Sequence, residues 1–172
     1  MRLSRRHLPP RKGTDMTITE AEVQLALQNW GDGLVKIAIA NDEEGAEKAR
    51  EIADGVIDEL YAYATTSVLF KPTMASGEQT FRPTKAGALS YFAAQDPDFP
   101  LDGGFGLKGW RKVDSETSAI FIDGDTAMWM GWIICINADD EPTKVDKSFG
   151  YHKDSNGVLR IVQHHSSFPY TP

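Results

Sequence analysis

Val23, Leu27, Trp30, Leu34 and Ile37 recur every three or four residues, the spacing that gathers apolar side chains on one face of a helix. Thr19 precedes the stretch and Glu22 follows three residues later, the capping-box pattern of a hydroxyl for an orphan amide and a carboxylate that reaches back. Ala49, Ile52, Val56, Leu60 and Tyr63 form a second stripe, predicting a helix over about residues 43–63. Thr84 caps a third helix, "KAGALSYFAAQ", which Pro97 and Pro100 end. Between the second and third helices, residues 66–73 and 78–84 read as short strands, the first stopped by Pro72. After the Gly- and Pro-rich stretch 97–110 the period changes to two. Strands are predicted at 110–113, 118–122, 126–136, 144–152 and 158–167. Asp123-Gly124 and Asn156-Gly157 supply hairpin turns. This order gives an α+β class, with three helices packed on a curved antiparallel sheet.

Strand parity assigns faces. With a two-residue turn at Asn156-Gly157, Ser155 lies opposite Val158. Val145, Lys147, Phe149, Tyr151, Val162, His164, Ser166 and Phe168 then share one side, and Asp146, His152, Ile161, Gln163 and His165 the other. The adjacent His164 and His165 therefore point to opposite sides and do not form one metal site. The Asp123-Gly124 hairpin has two apolar faces: Ala127, Trp129, Ile133 and Cys135 on one, Met128, Met130, Trp132, Ile134 and Ile136 on the other. Helices cover one face. The other calls for a second subunit, a homodimer or larger oligomer packed through the outer sheet face, with the C-terminal segment folding across as the alternative. Trp129 and Trp132 point opposite ways, so one helps the interface; Trp129, Gln163 and His165 are its candidates.

Composition narrows the setting. Residues 17–172 are expected to form a single domain, and residues 1–16 a disordered basic tail. Arg2, Arg5, Arg6, Arg11 and Lys12 against Asp15 give residues 1–15 a balance of +4, which leaves −11 on the rest of a chain whose total is −7. An acidic body argues against nucleic acid as a partner. The lone Cys135 excludes an internal disulfide and a cysteine-rich zinc site and fits a cytoplasmic setting. No apolar run is long enough to cross a membrane. Neither a phosphate loop nor a dinucleotide fingerprint is present, so no metal and no cofactor is expected.

Candidate chemistry centres on His164, an imidazole on an apolar face that can bind a ligand or shuttle a proton near neutrality. The alternative is a core-edge histidine bonded to a tyrosine or serine. Lys71 and Arg82 leave similar segments, "FKPT" and "FRPT", and together can hold a carboxylate or stand as two solvated cations. Tyr63, Tyr91 and Tyr151 line a pocket or simply fill the core. Asp146 falls on the outer face, which counts against a ketosteroid-isomerase type of carboxylate base.

The ending "GYHKDSNGVLRIVQHHSSFP" and the segment "FRPTKAGALSYF" resemble the nuclear-transport-factor-two-like (SnoaL-like) superfamily. Within it they are most similar to stand-alone bacterial proteins of the calcium/calmodulin-dependent protein kinase II association-domain type. The resemblance implies a cone-shaped fold, a homo-oligomer, and a pocket between helices and sheet that takes small carboxylates. The function expected from it is an oligomeric small-molecule binding module without kinase activity, with His164, Tyr63, Lys71, Arg82, Tyr91 and Tyr151 at the ligand. The alternative is a small-molecule isomerase, cyclase or hydrolase using His164.

Overall fold

The computed structural model describes residues 16–172, so the tail expected over residues 1–16 lies, all but its last residue, outside the described residues. Helix α1 spans Glu20–Glu44. Its capping box is formed: the Glu22 amide donates to Thr19 Oγ1 (3.2 Å) and the Thr19 amide donates to Glu22 Oε2 (2.8 Å). Helix α2 spans Ala46–Leu60 and α3 spans Lys85–Ala93, with Thr84 accepting from the Gly87 amide. Gly31 lets α1 approach the sheet closely, since a Cβ there would sit 2.9 Å from the Val113 side chain.

Five strands follow: β1 (Leu69–Lys71), β2 (Trp110–Asp123), β3 (Thr126–Asn137), β4 (Pro142–Lys153) and β5 (Leu159–Ser167). They form one sheet in the order β1-β5-β4-β3-β2. The sheet is mixed rather than wholly antiparallel, because β1 runs parallel to β5. The stretch expected as a strand over 78–84 is not one. Gly77–Gln79 form a turn of 3₁₀ helix, and one backbone bond, Arg82 N–H to Phe70 O at 2.8 Å, replaces a ladder. Pro83 has no amide to continue it. The two strands expected at 110–113 and 118–122 are one, β2, with irregularities at Trp110/Lys112 and Thr117/Ala119.

The turn between β4 and β5 is longer than the two residues expected. Strand β4 ends at Lys153 and β5 begins at Leu159, and Asp154 Oδ1 accepts from the Asn156 and Val158 amides. An odd turn reverses parity, and a bulge at Gly150/Tyr151 reverses it again. Between them Ile161 replaces Val162 on the inner side, opposite Tyr151. Beyond the bulge the expected pairs hold: Phe149 faces His164 and Lys147 faces Ser166. Phe168 lies past the strand and is exposed.

The helices fill the concave face. Val23, Leu27, Trp30, Leu34 and Ile37 are buried with Trp129, Ile133, Val145 and Phe149, each contributing about 1.5–3 kcal/mol on burial. Trp129, expected at an interface, is therefore core: it is buried, and its Nε1–H donates to Thr117 Oγ1 at 2.8 Å. Trp132 is the outward one, half-buried under the Lys144 ammonium. Phe121, Met128 and Met130 on the outer face are each more than half exposed. No helix among the described residues is long and apolar enough to cross a membrane.

Candidate active site

Sheet pairing concentrates polar groups at one place on the concave face. His164 on β5 lies between Phe70 of β1 and Phe149 of β4, and Ser166, two residues on, lies opposite Lys147. The imidazole is 1% exposed. It stacks on Phe70 (ring centroids 4.4 Å apart) and against Phe149 (4.6 Å), with Trp30 of α1 edge-on at 5.6 Å. Both ring nitrogens are engaged. Nδ1 lies 2.9 Å from the hydroxyl of Tyr61, and Nε2 lies 2.9 Å from Lys147 Nζ. The Tyr61 hydroxyl in turn accepts from Trp30 Nε1–H at 2.9 Å. Burial holds the His164 pKa well below its ordinary value, and the Lys147 and His165 charges push the same way. His164 is thus a neutral imidazole at neutral pH.

Beside it is a group of hydroxyls. Thr73 Oγ1–H donates to Ser166 Oγ at 2.7 Å. Ser166 is fully buried and Thr73 half-buried, so Thr73 is the side from which solvent reaches the group. Lys71 braces this end of β5 by donating to the Ser166 carbonyl at 2.8 Å. Tyr91 of α3 packs edge-on against Phe70 at 5.7 Å. Its hydroxyl is buried and has no hydrogen-bond partner. Burial pushes the Tyr91 phenol up to about 12, with nearby Thr73 and Met74 pulling the other way. A buried phenol without a partner carries an uncompensated desolvation cost and is free to bond an incoming molecule.

The other residues singled out from the sequence are committed elsewhere. The guanidinium of Arg82 is buried and paired bidentately with Asp102 at 2.7 and 2.8 Å. It also donates to the carbonyls of Gln79 and Gly87 and lies over the Phe99 ring. With Lys71 on Ser166 and Arg82 on Asp102, the two cations do not converge on a shared anion. Tyr63 stacks on Tyr61 at 5.9 Å and donates its hydroxyl to the Arg82 carbonyl at 2.8 Å. Tyr151 is buried against Phe149, its hydroxyl also without a partner. His165 and Gln163 point to the outer side. There a cavity of about 890 Å³ is bounded by Met128, Gly150, His152 and Gln163, and one of about 380 Å³ by Leu69, Lys71, Phe81 and His165.

The cavity beside Tyr61, against Trp30 and Phe92, measures about 10 Å³, room for about one water. Parity had placed Lys147 and Ser166 on the inner face, and a lysine and a serine in a row of apolar residues were the available signal. Nothing in the sequence marked Tyr61 or Thr73. Tyr61 caps the C-terminus of α2 and Thr73 follows β1, and each reaches β5 only through the tertiary arrangement. Among the described residues no three histidine, cysteine, aspartate or glutamate side chains gather to hold a metal ion.

The family model of metal-independent carbonic anhydrase matches residues 21–168. A metal-independent carbonic anhydrase of Nostoc sp. (strain PCC 7120 / SAG 25.82 / UTEX 2576) is 48% identical over 153 residues, 89% of this chain and 75% of the relative. A crystal structure of the iota-carbonic anhydrase from a cyanobacterium, complexed with bicarbonate, superposes with a TM-score of 0.92 at 45% identity, covering 95% of this chain and 100% of that one. A protein of the calcium/calmodulin-dependent protein kinase II association-domain type from Xanthomonas campestris superposes with a TM-score of 0.56 at 19% identity, over 92% of this chain and 97% of that one. That last likeness shows the fold alone. The α+β fold expected from the sequence is borne out, and the particular family is not. The family match overturns the reading as a non-enzymatic association-domain module.

Proposed function

Because the chain belongs to the metal-independent carbonic anhydrase family, we propose that it interconverts carbon dioxide and bicarbonate, using Thr73, Tyr91, His164 and Ser166. The observation that carries this reading is the convergence of three hydroxyls, one of them buried and unpartnered, beside a neutral buried imidazole. Hydration forms a bond from a water oxygen to the carbon of carbon dioxide and removes a proton from that water. Negative charge accumulates on the substrate oxygens, and preset hydroxyl donors stabilise it where it develops. A neutral imidazole is a competent acceptor for the proton, which reaches the ring when one of its two bonds, to Tyr61 or to Lys147, is given up. The ring of Phe70, lying against both Tyr91 and His164, gives apolar carbon dioxide a matching wall.

Stopped-flow carbon dioxide hydration tests the assignment. Ser166→Ala and His164→Ala are expected to lose about 10²-fold or more in kcat/KM, while Tyr63→Phe, whose hydroxyl serves only the Arg82 carbonyl, stays within about twofold. Full activity in both of the first two variants contradicts the assignment.

The outer sheet face is read as the meeting surface of two copies, on the exposure of Phe121, Met128 and Met130 in one apolar patch, with Gln163 and His165 toward its edge. Light scattering is expected to give twice the 19.0 kDa chain mass, and Met130→Asp to shift it toward the monomer. A wild-type monomer rules the pairing out.

A further inference from the structure

Lys147 is the group at this site whose role the proposed reaction does not assign. It is 4% exposed, and no carboxylate lies within ion-pair distance of it among the described residues. Its Nζ is 2.9 Å from His164 Nε2 and 4.3 Å from the centre of the Trp30 ring. A structural lysine in so apolar a place would be replaced at a gain by a methionine of similar shape. Its contact with the imidazole is therefore the feature to explain.

Hydrogen-bond accounting separates two states. Trp30 donates to the Tyr61 oxygen, so the Tyr61 O–H remains to be placed. If Lys147 is an uncharged amine, it accepts from His164 Nε2–H. Nδ1 is then bare and accepts from the Tyr61 O–H, so the Trp30 N–H, the Tyr61 O–H and the His164 N–H each have an acceptor. If Lys147 is an ammonium, it must donate to a bare Nε2. The imidazole proton then sits on Nδ1 and donates to Tyr61, whose own proton loses its acceptor. Resting on the reading of His164 as the reacting base, we propose that Lys147 is a positioning residue that sets which nitrogen of His164 carries the proton. Uncharged, it holds the Nε2–H form, with Nδ1 as acceptor; charged, it reverses the tautomer.

The surroundings place this exchange in the working range. Burial brings the Lys147 pKa down to about 7, opposed more weakly by Cys135 and Asp146. The groups facing it are few. Trp30 of α1 carries no charge, and Tyr61 at the end of α2 and Cys135 of β3 are both kept neutral by burial. Asp146 adjoins it on β4 with its carboxylate held by Ser167, and His164 on β5 completes the set. Bicarbonate is an anion and favours the ammonium, whereas carbon dioxide is neutral and does not. Product and substrate therefore favour opposite tautomers.

The test is nitrogen-15 NMR of protein labelled at histidine, titrated across neutrality without substrate. His164 is expected to carry its proton on Nε2 at pH 9 and on Nδ1 at pH 6 while remaining neutral. In Lys147→Met the tautomer is expected not to change with pH. A wild-type His164 that keeps one tautomer from pH 6 to 9 overturns the proposal, whether or not Lys147→Met folds. The spectrum does not depend on turnover. A protein that switches tautomer yet hydrates no carbon dioxide would refute the reaction and leave the lysine's role standing.

Discussion

Burying a lysine with no carboxylate beside it works against folding, and the direction of its pH dependence follows from the shift. The ordinary lysine value is 10.5, and burial lowers that of Lys147 to about 7. Between those values the unfolded chain binds more protons than the folded one, so the unfolding free energy rises with pH. Below about pH 7 both states are protonated and the full cost is felt. His164, its pKa lowered by burial, adds a loss of the same sign as pH falls through the ordinary histidine range. The buried tyrosines, their pKa values raised by burial, act only above about pH 10. Urea unfolding is expected to show the wild type about 2–3 kcal/mol more stable at pH 9 than at pH 6 on account of Lys147, and Lys147→Met to remove most of that difference. Equal slopes in the two proteins contradict a buried lysine that loses its charge. At this scale the sequence exposed His164 and Lys147 through parity alone. It hid the engagement of Arg82, because its partner Asp102 sits in a loop with no periodicity to place it.

Elements were legible where one period ran unbroken. The stripes of α1 and α2, the Thr84 cap and the Gly124 turn stand close to where the spacing put them. The sheet departed where local chemistry broke the alternation. The Asp154 side chain holds an odd turn together, and the Gly150/Tyr151 bulge restores the parity that the turn reversed, so His164 faces inward as expected while Val162 and Ile161 exchange places. The parallel pairing of β1 was invisible, since a three-residue strand between helices carries no pattern. What anchors the irregular segment from Gly77 to Asp102 is the buried Arg82–Asp102 pair, which ties the 3₁₀ turn to the start of α3. Asp102→Ala leaves that guanidinium unpaired and is expected to cost about 3–5 kcal/mol in urea unfolding. A loss below about 1 kcal/mol would show that the pair does not hold the segment.

At the scale of the whole molecule, helices on a curved sheet describe enzymes and assembly domains alike. The fold could therefore be read from the chain while the activity could not. The proposed site is built from side chains that meet only after folding: Thr73 from beyond β1, Tyr91 from α3, and His164 and Ser166 from β5. The central claim is that this constellation hydrates carbon dioxide with side chains alone. The most direct measurement is stopped-flow hydration by protein stripped with a strong chelator and shown to be metal-free by elemental analysis. The account predicts undiminished kcat/KM after stripping and its loss in Ser166→Ala under the same conditions. A stripped wild type no faster than buffer, with activity restored by added zinc, would contradict it.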